Sequence, residues 1–171
     1  SSSSAASDVY KRQRIYSTSN GGESWDIVGS GPATNIIKGV VYVSSDVGFF
    51  CYDYVEGMDS NLYKTDDGGK TFAKVMLEEQ ELDSSAANPQ GQETETKTDS
   101  GKNGADSSEQ LRWGDVYKEA LTPVVDSTGI ITIYLTQGKN AVYNDGKTAA
   151  KYQSSDKGST WKYIGQVEIK D

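Results

Sequence analysis

The chain is predicted to be all-β, a set of antiparallel hairpins, on three observations. Its 171 residues carry 11 Tyr, 3 Trp and 3 Phe, with β-branched residues clustered around them, which is the vocabulary of strands. Apolar residues alternate with polar ones, as along Ile131-Thr132-Ile133-Tyr134-Leu135, and no window sustains a 3.6-residue apolar period. A polar pattern, [ST]-x-[DN]-x-G-x-[ST]-[WF], occurs three times: at Thr18–Trp25, Thr65–Phe72 and Ser154–Trp161.

Each copy follows a short run containing tyrosine and leads into another strand-like run. That arrangement reads as a hairpin corner. The side-chain oxygen of Asn20, Asp67 or Asp156 accepts hydrogen bonds from backbone N–H groups just ahead, capping the turn. Gly22, Gly69 and Gly158 fall where a positive φ is required. The hydroxyl residues Thr18, Ser24, Thr65, Thr71, Ser154 and Thr160 bracket the turn, and the closing ring of Trp25, Phe72 or Trp161 is expected to fold into the apolar layer and pin the corner.

The strands then follow in order. Arg14–Ser19 and Trp25–Gly29 flank the first corner. Ile37–Ser45 and Val47–Val55 form the next hairpin, turning at Asp46, and are followed by Asn61–Asp66 and Thr71–Glu78 around the second corner. Ala120–Val125, Gly129–Thr136, Ala149–Ser155 and Thr160–Ile169 repeat that four-strand layout around the third. Between Gly129–Thr136 and Ala149–Ser155, Tyr143-Asn144-Asp145-Gly146 carries a hairpin-turn signature, so its Asn and Asp are assigned to the turn. The first two corners are 47 residues apart, a usual spacing for one four-stranded repeat. The second and third are 89 apart, which leaves room for one repeat and an insert.

The insert is expected at residues 83–110. These 28 residues contain no Val, Ile, Leu, Met, Phe, Tyr or Trp, and set six acids against two lysines. Nothing there offsets an ordering cost of about 1–2 kcal/mol per residue, so a disordered acidic loop is expected. Residues 1–13, a Ser-rich tract without strand pattern, are read as a non-native or disordered leader. The domain reading is therefore leader 1–13, a segment 14–82 with the first two corners, the insert 83–110, and a segment 111–171 with the third.

Composition narrows the chemistry. There is no His, which removes the usual general base, any Ser-His-Asp arrangement and any His-ligated metal site. Seventeen basic residues against twenty-five acidic ones leave a net charge of −8, so no electrostatic case exists for binding nucleic acid. Mean hydropathy of −0.65 and short apolar runs predict no transmembrane helix. Cys51 is the one cysteine; it lies in an apolar run and is expected to be a small core residue. No metal or cofactor is expected.

The three corners resemble Asp-box (BNR) repeats, found in sialidases, sortilin-type receptors, some glycoside hydrolases and photosynthesis-assembly-factor-like proteins, almost always in β-propellers. The resemblance implies propeller-type blades of four antiparallel strands, about two and a half of them and so an incomplete propeller, with each box at the blade periphery as a folding device. The run Val43–Phe50 followed by Leu62–Phe72 is similar to the blade pattern of photosynthesis-assembly-factor-like propellers and of exported BNR-like proteins of Gram-positive bacteria, some of them lipoproteins. That likeness implies a bacterial extracellular or cell-surface location.

Sialidase-like enzymes bind the substrate carboxylate with three arginines and use a Tyr–Glu pair and an Asp acid. This chain has only Arg12, Arg14 and Arg112, in positions not expected to converge. The expected role is a non-catalytic exported propeller binding a glycan, a peptide or a partner protein. Two alternatives are a fragment of a sialidase-like glycosidase with its catalytic residues elsewhere, and an assembly or scaffold factor. Loops between the second and third strands of a blade lie on one face of a propeller, so Asp53, Glu56 and Asp59 form the candidate ligand rim. Asp115 and Glu119, flanking Tyr117, are further carboxylates outside the boxes. Open blade edges suggest self-association as well.

Overall fold

The structure, a computed structural model, describes residues 12–82, 112–138, 141 and 143–169. The expected insert 83–110 and all of the expected leader except Arg12 and Gln13 lie outside the described residues.

The described chain is mostly β, in three antiparallel sheets, none closed into a barrel. β1 (Arg14–Ser17) pairs with β2 (Asp26–Ser30) across the first corner. β3 (Ile37–Tyr42), β4 (Gly48–Tyr52), β5 (Leu62–Thr65) and β6 (Ala73–Lys74) form a four-stranded meander in chain order. After α1 (Trp113–Val116), the third sheet contains β7 (Glu119–Ala120), β8 (Val124–Val125), β9 (Ile131–Thr136), β10 (Thr148–Ser154) and β11 (Lys162–Glu168). Its order is β11-β10-β9, with β7 and β8 both pairing β9.

Three details differ from the sequence reading. The expected strand Ala120–Val125 is split into β7 and β8 around Leu121–Pro123, because Pro123 has no N–H to give a ladder. The expected strand Thr71–Glu78 pairs only at Ala73 and Lys74, although the Val75 amide still reaches the Leu62 carbonyl at 2.9 Å. The single helical turn α1, four residues long, is below the length at which apolar periodicity is visible. Asn144 and Asp145 both adopt positive φ (46° and 58°), as the hairpin-turn signature requires.

The sheets pack face to face in chain order. Phe49, Cys51 and Leu62 of the second sheet share one buried cluster with Ala120, Ile131 and Ile133 of the third. A second cluster joins Trp113, Val116, Tyr117, Tyr143, Ala150 and Tyr152, and Leu77 packs against both. The first sheet meets the second at the second corner, where a Cβ on Gly29 would overlap the Gly69 carbonyl. Glycine is required there because two backbones touch.

The three corners share one geometry. The amides of Gly22, Gly69 and Gly158 donate to the hydroxyls of Thr18, Thr65 and Ser154 at 2.9, 2.9 and 2.8 Å. The amides of Ser24, Thr71 and Thr160 donate to Asn20, Asp67 and Asp156 at 2.9, 2.8 and 2.8 Å. All three glycines have positive φ (97°, 101°, 84°), as does the residue before each: Gly21, Gly68 and Lys157.

The Thr71 hydroxyl and amide hold the Asp67 carboxyl down at about 2, and Thr160 does the same for Asp156. Both values lie below the ordinary 3.8, so the stabilisation is complete above pH 3.8 and is lost as pH falls through about 2. Carboxyl-detected NMR titration should show midpoints near 2 for both residues, and midpoints near 3.8 would refute the caps.

The pinning rings divide. Phe72 packs on Phe50 with ring centroids 4.8 Å apart, and Trp161 on Phe49 at 5.9 Å. Trp25 departs from the expectation and is 58% exposed, since among the described residues no sheet stands in front of the first corner. Trp161→Ala should therefore cost near the lower end of about 3–5 kcal/mol, while Trp25→Ala in dilute protein should stay within about 0.5 kcal/mol. Urea denaturation of the two variants side by side measures the contrast.

Candidate functional site: a cleft opposite the hairpin corners

Strand direction separates two ends of the fold. β5 and β10 run into their corners, and β6 and β11 run out of them. The loop 53–61, the residues after β6, the start of β7 and the end of β9 all lie at the other end. A cleft of 580 Å³ opens there between the second and third sheets. One wall is the loop from Tyr54 to Asn61 with Lys74–Leu77; the other is Arg112–Asp115, Tyr117 and Lys118; Leu62, Ala120 and Leu135 lie deeper.

Asn61 holds the two walls together. It is buried at 1% exposure, and its amide nitrogen donates to the carbonyls of Tyr52 (2.9 Å) and Ala120 (2.8 Å). Its side-chain oxygen accepts from the Ala120 amide at 2.8 Å. The side chain thus substitutes for a missing strand partner between sheets. Tyr152 makes a second link: its hydroxyl donates to the Glu78 carbonyl at 2.6 Å and accepts from the Trp113 indole at 3.1 Å. Burial pushes that phenol up to about 12, so it stays a neutral donor. Gln137 works in the same way within the third sheet, pairing both backbone groups of Tyr143.

Two of the three residues of the expected rim reach the cleft. Glu56 pairs with Lys118 at 3.2 Å, and Asp59 with Lys74 at 2.9 Å. Lys118 also lies over the Tyr54 ring, 5.8 Å from its centroid. Asp53 does not line the cleft. It turns to Lys38 at 3.7 Å, and Lys38 also meets Glu119 at 3.6 Å, so these carboxylates share one cation between sheets. Of the pair flanking Tyr117, Asp115 lines the cleft and Glu119 does not.

The result is a groove with ion pairs of both signs along its rim and Met58, Met76, Val75, Leu77 and Leu135 among its apolar carbons. Met76 is 72% exposed. Trp113 and Tyr117 are buried, so neither offers a flat stacking surface. Sequence reasoning missed Asn61, Trp113 and Met76; a lone Asn before a strand carries no mark of a partner 59 residues away.

The arginines do not converge on the cleft. Arg112 lines it, Arg14 sits in β1, and Arg12 lines a separate hollow of 520 Å³ with Ser30, Pro32, Tyr63 and Lys70. Cys51 is buried; desolvation raises its thiol, which donates to the Ala120 carbonyl at 3.4 Å. Such a thiol is a poor nucleophile. Among the described residues, no three or more Cys, Asp or Glu are grouped to hold a metal, and no helix is long and apolar enough to cross a membrane. No protein-family model, curated protein or solved structure matches the chain.

Proposed function

We propose that this chain is a run of Asp-box propeller blades, exported from a bacterium and non-catalytic, that binds an extended peptide segment of a partner protein in the cleft opposite its boxes. Three corners of one geometry, on sheets stacked in chain order, support the propeller reading. The observation that carries the ligand class is the cleft's lining. Exposed methionine and aliphatic carbons accept varied side chains, while rim ion pairs of both signs offer donors and acceptors to a peptide backbone. A glycan is the lesser fit, because sugars stack on open aromatic rings: the cleft's Trp113 and Tyr117 are buried, and Lys118 lies over the half-buried Tyr54 ring.

The experiment is selection of peptides from a displayed library on the purified protein, followed by calorimetry. Selected peptides should lose about tenfold or more in affinity to Met76→Asp, the loss of a hot-spot side chain. Equal binding to this variant would reject the cleft as the site. Hydrolysis of a fluorogenic sialoside would favour the glycosidase alternative instead.

A further inference from the structure

The internal repeat allows one face of the first sheet to be compared with its two counterparts. Counting from each corner's first residue, Tyr16, Trp25 and Ile27 correspond to Tyr63, Phe72 and Lys74, and to Tyr152, Trp161 and Tyr163. The registers agree: Tyr16 opposes Ile27, Tyr63 opposes Lys74, and Tyr152 opposes Tyr163. The triplet therefore occupies one face of each sheet.

In the third sheet that face lies against the second, with Trp161 on Phe49 and the Tyr152 hydroxyl on the Glu78 carbonyl. In the second sheet it looks toward the first: Tyr63 and Phe72 share a hollow with Ser30 and Pro32. In the first sheet no other sheet lies against it among the described residues. Tyr16, Trp25 and Ile27 are 51%, 58% and 58% exposed, and a Cβ on Gly22 would meet only Trp25. The same position at the other corners is filled: Gly69 rests on Ile15, and Gly158 on Phe49 and the Lys64 stem.

The opposite end of the stack presents the complementary element. Ile131 and Ile133 are buried toward the second sheet, so Thr132 and Tyr134 face out, with Lys151, Gln153 and Lys162 beside them. Gln153 stands where Lys64 stands in the second sheet, the long polar side chain on which the next corner rests. Ile164, at the register shift of β11 against β10 two residues beyond Lys162, is 45% exposed. Glu23 at the bare corner is complementary in charge to Lys151 and Lys162.

We infer that the Tyr16–Trp25–Ile27 face docks on the outer β9–β10–β11 face of a second copy of this chain, reproducing between molecules the contact that the sheets make within one. The contact is heterologous, and it closes into a dimer where two copies engage both faces at once. The bare triplet is small for a stable interface, so the association is weak and made twice over by closure.

Sedimentation of the whole protein over a concentration series is the test. The wild type should form a dimer. Ile27→Lys, which places the residue the second sheet already carries at that position, should weaken it about tenfold or more, and so should Ile164→Lys in β11. An equimolar mixture of the two variants retains one intact contact and should pair better than either alone. A wild type that stays monomeric, or a mixture no better than its components, overturns the docking but leaves the propeller reading standing. Association that continues into longer chains keeps the docking and overturns closure. Thermal melts of both variants at dilute concentration should match wild type, since both side chains are exposed.

Discussion

Asn61→Ala is expected to destabilise the protein by about 3–5 kcal/mol, because it strips partners from backbone groups that water cannot reach. The Ala120 amide loses its only side-chain acceptor, and the carbonyls of Ala120 and Tyr52 lose a donor. These groups sit where the second and third sheets meet, so the loss falls on sheet-to-sheet packing. Asn61→Asp is the sharper control. It preserves shape and the acceptor but sets a carboxylate against two carbonyl oxygens, and it should be no better than alanine. Chemical denaturation should show a lower midpoint with unchanged slope. A loss below about 1 kcal/mol in Asn61→Ala would mean that the link is not made in solution.

Phe49→Ala should cost a similar amount, about 3–5 kcal/mol, by a different route. The ring is fully buried, stands edge-on to Trp161 and lies beneath Gly158 of the third corner. Truncation opens a cavity bounded by Cys51, Leu62, Ile131 and Ile133, residues already held by two sheets and unable to collapse far. Phe49→Leu, which refills much of the volume, should recover a large part of the loss. Equilibrium unfolding of both variants, read by tryptophan fluorescence as well as far-UV dichroism, separates loosening of packing from global loss. If Phe49→Ala unfolds like wild type, the two sheets do not pack as described.

The two side chains differ in how visible they were beforehand. Phe49 lies in the run Gly48-Phe49-Phe50-Cys51-Tyr52, whose apolar continuity marks a strand buried on both faces. Asn61 is one polar residue in a loop rich in Asp and Ser, and its partner is remote in sequence. The corners were legible for a local reason. Their hydrogen bonds span two to four residues, so spacing alone specifies them. Glu56 and Asp59 were legible through their loop, but Asp53 was drawn away by Lys38, a competition that chain order does not display. Trp25 was misread because a ring can pin a corner only when another sheet receives it.

The amino-acid order alone determined the β class, the three capped corners and the absence of histidine-based chemistry. Each depends on residue type or on contacts within a few positions. Folding in three dimensions decided which sheet faces are covered, that Asn61 and Tyr152 join separate sheets, and that a cleft opens at the end away from the corners. Those features depend on pairs 59 and 74 residues apart, whose meeting is set by packing of whole sheets rather than by any local pattern.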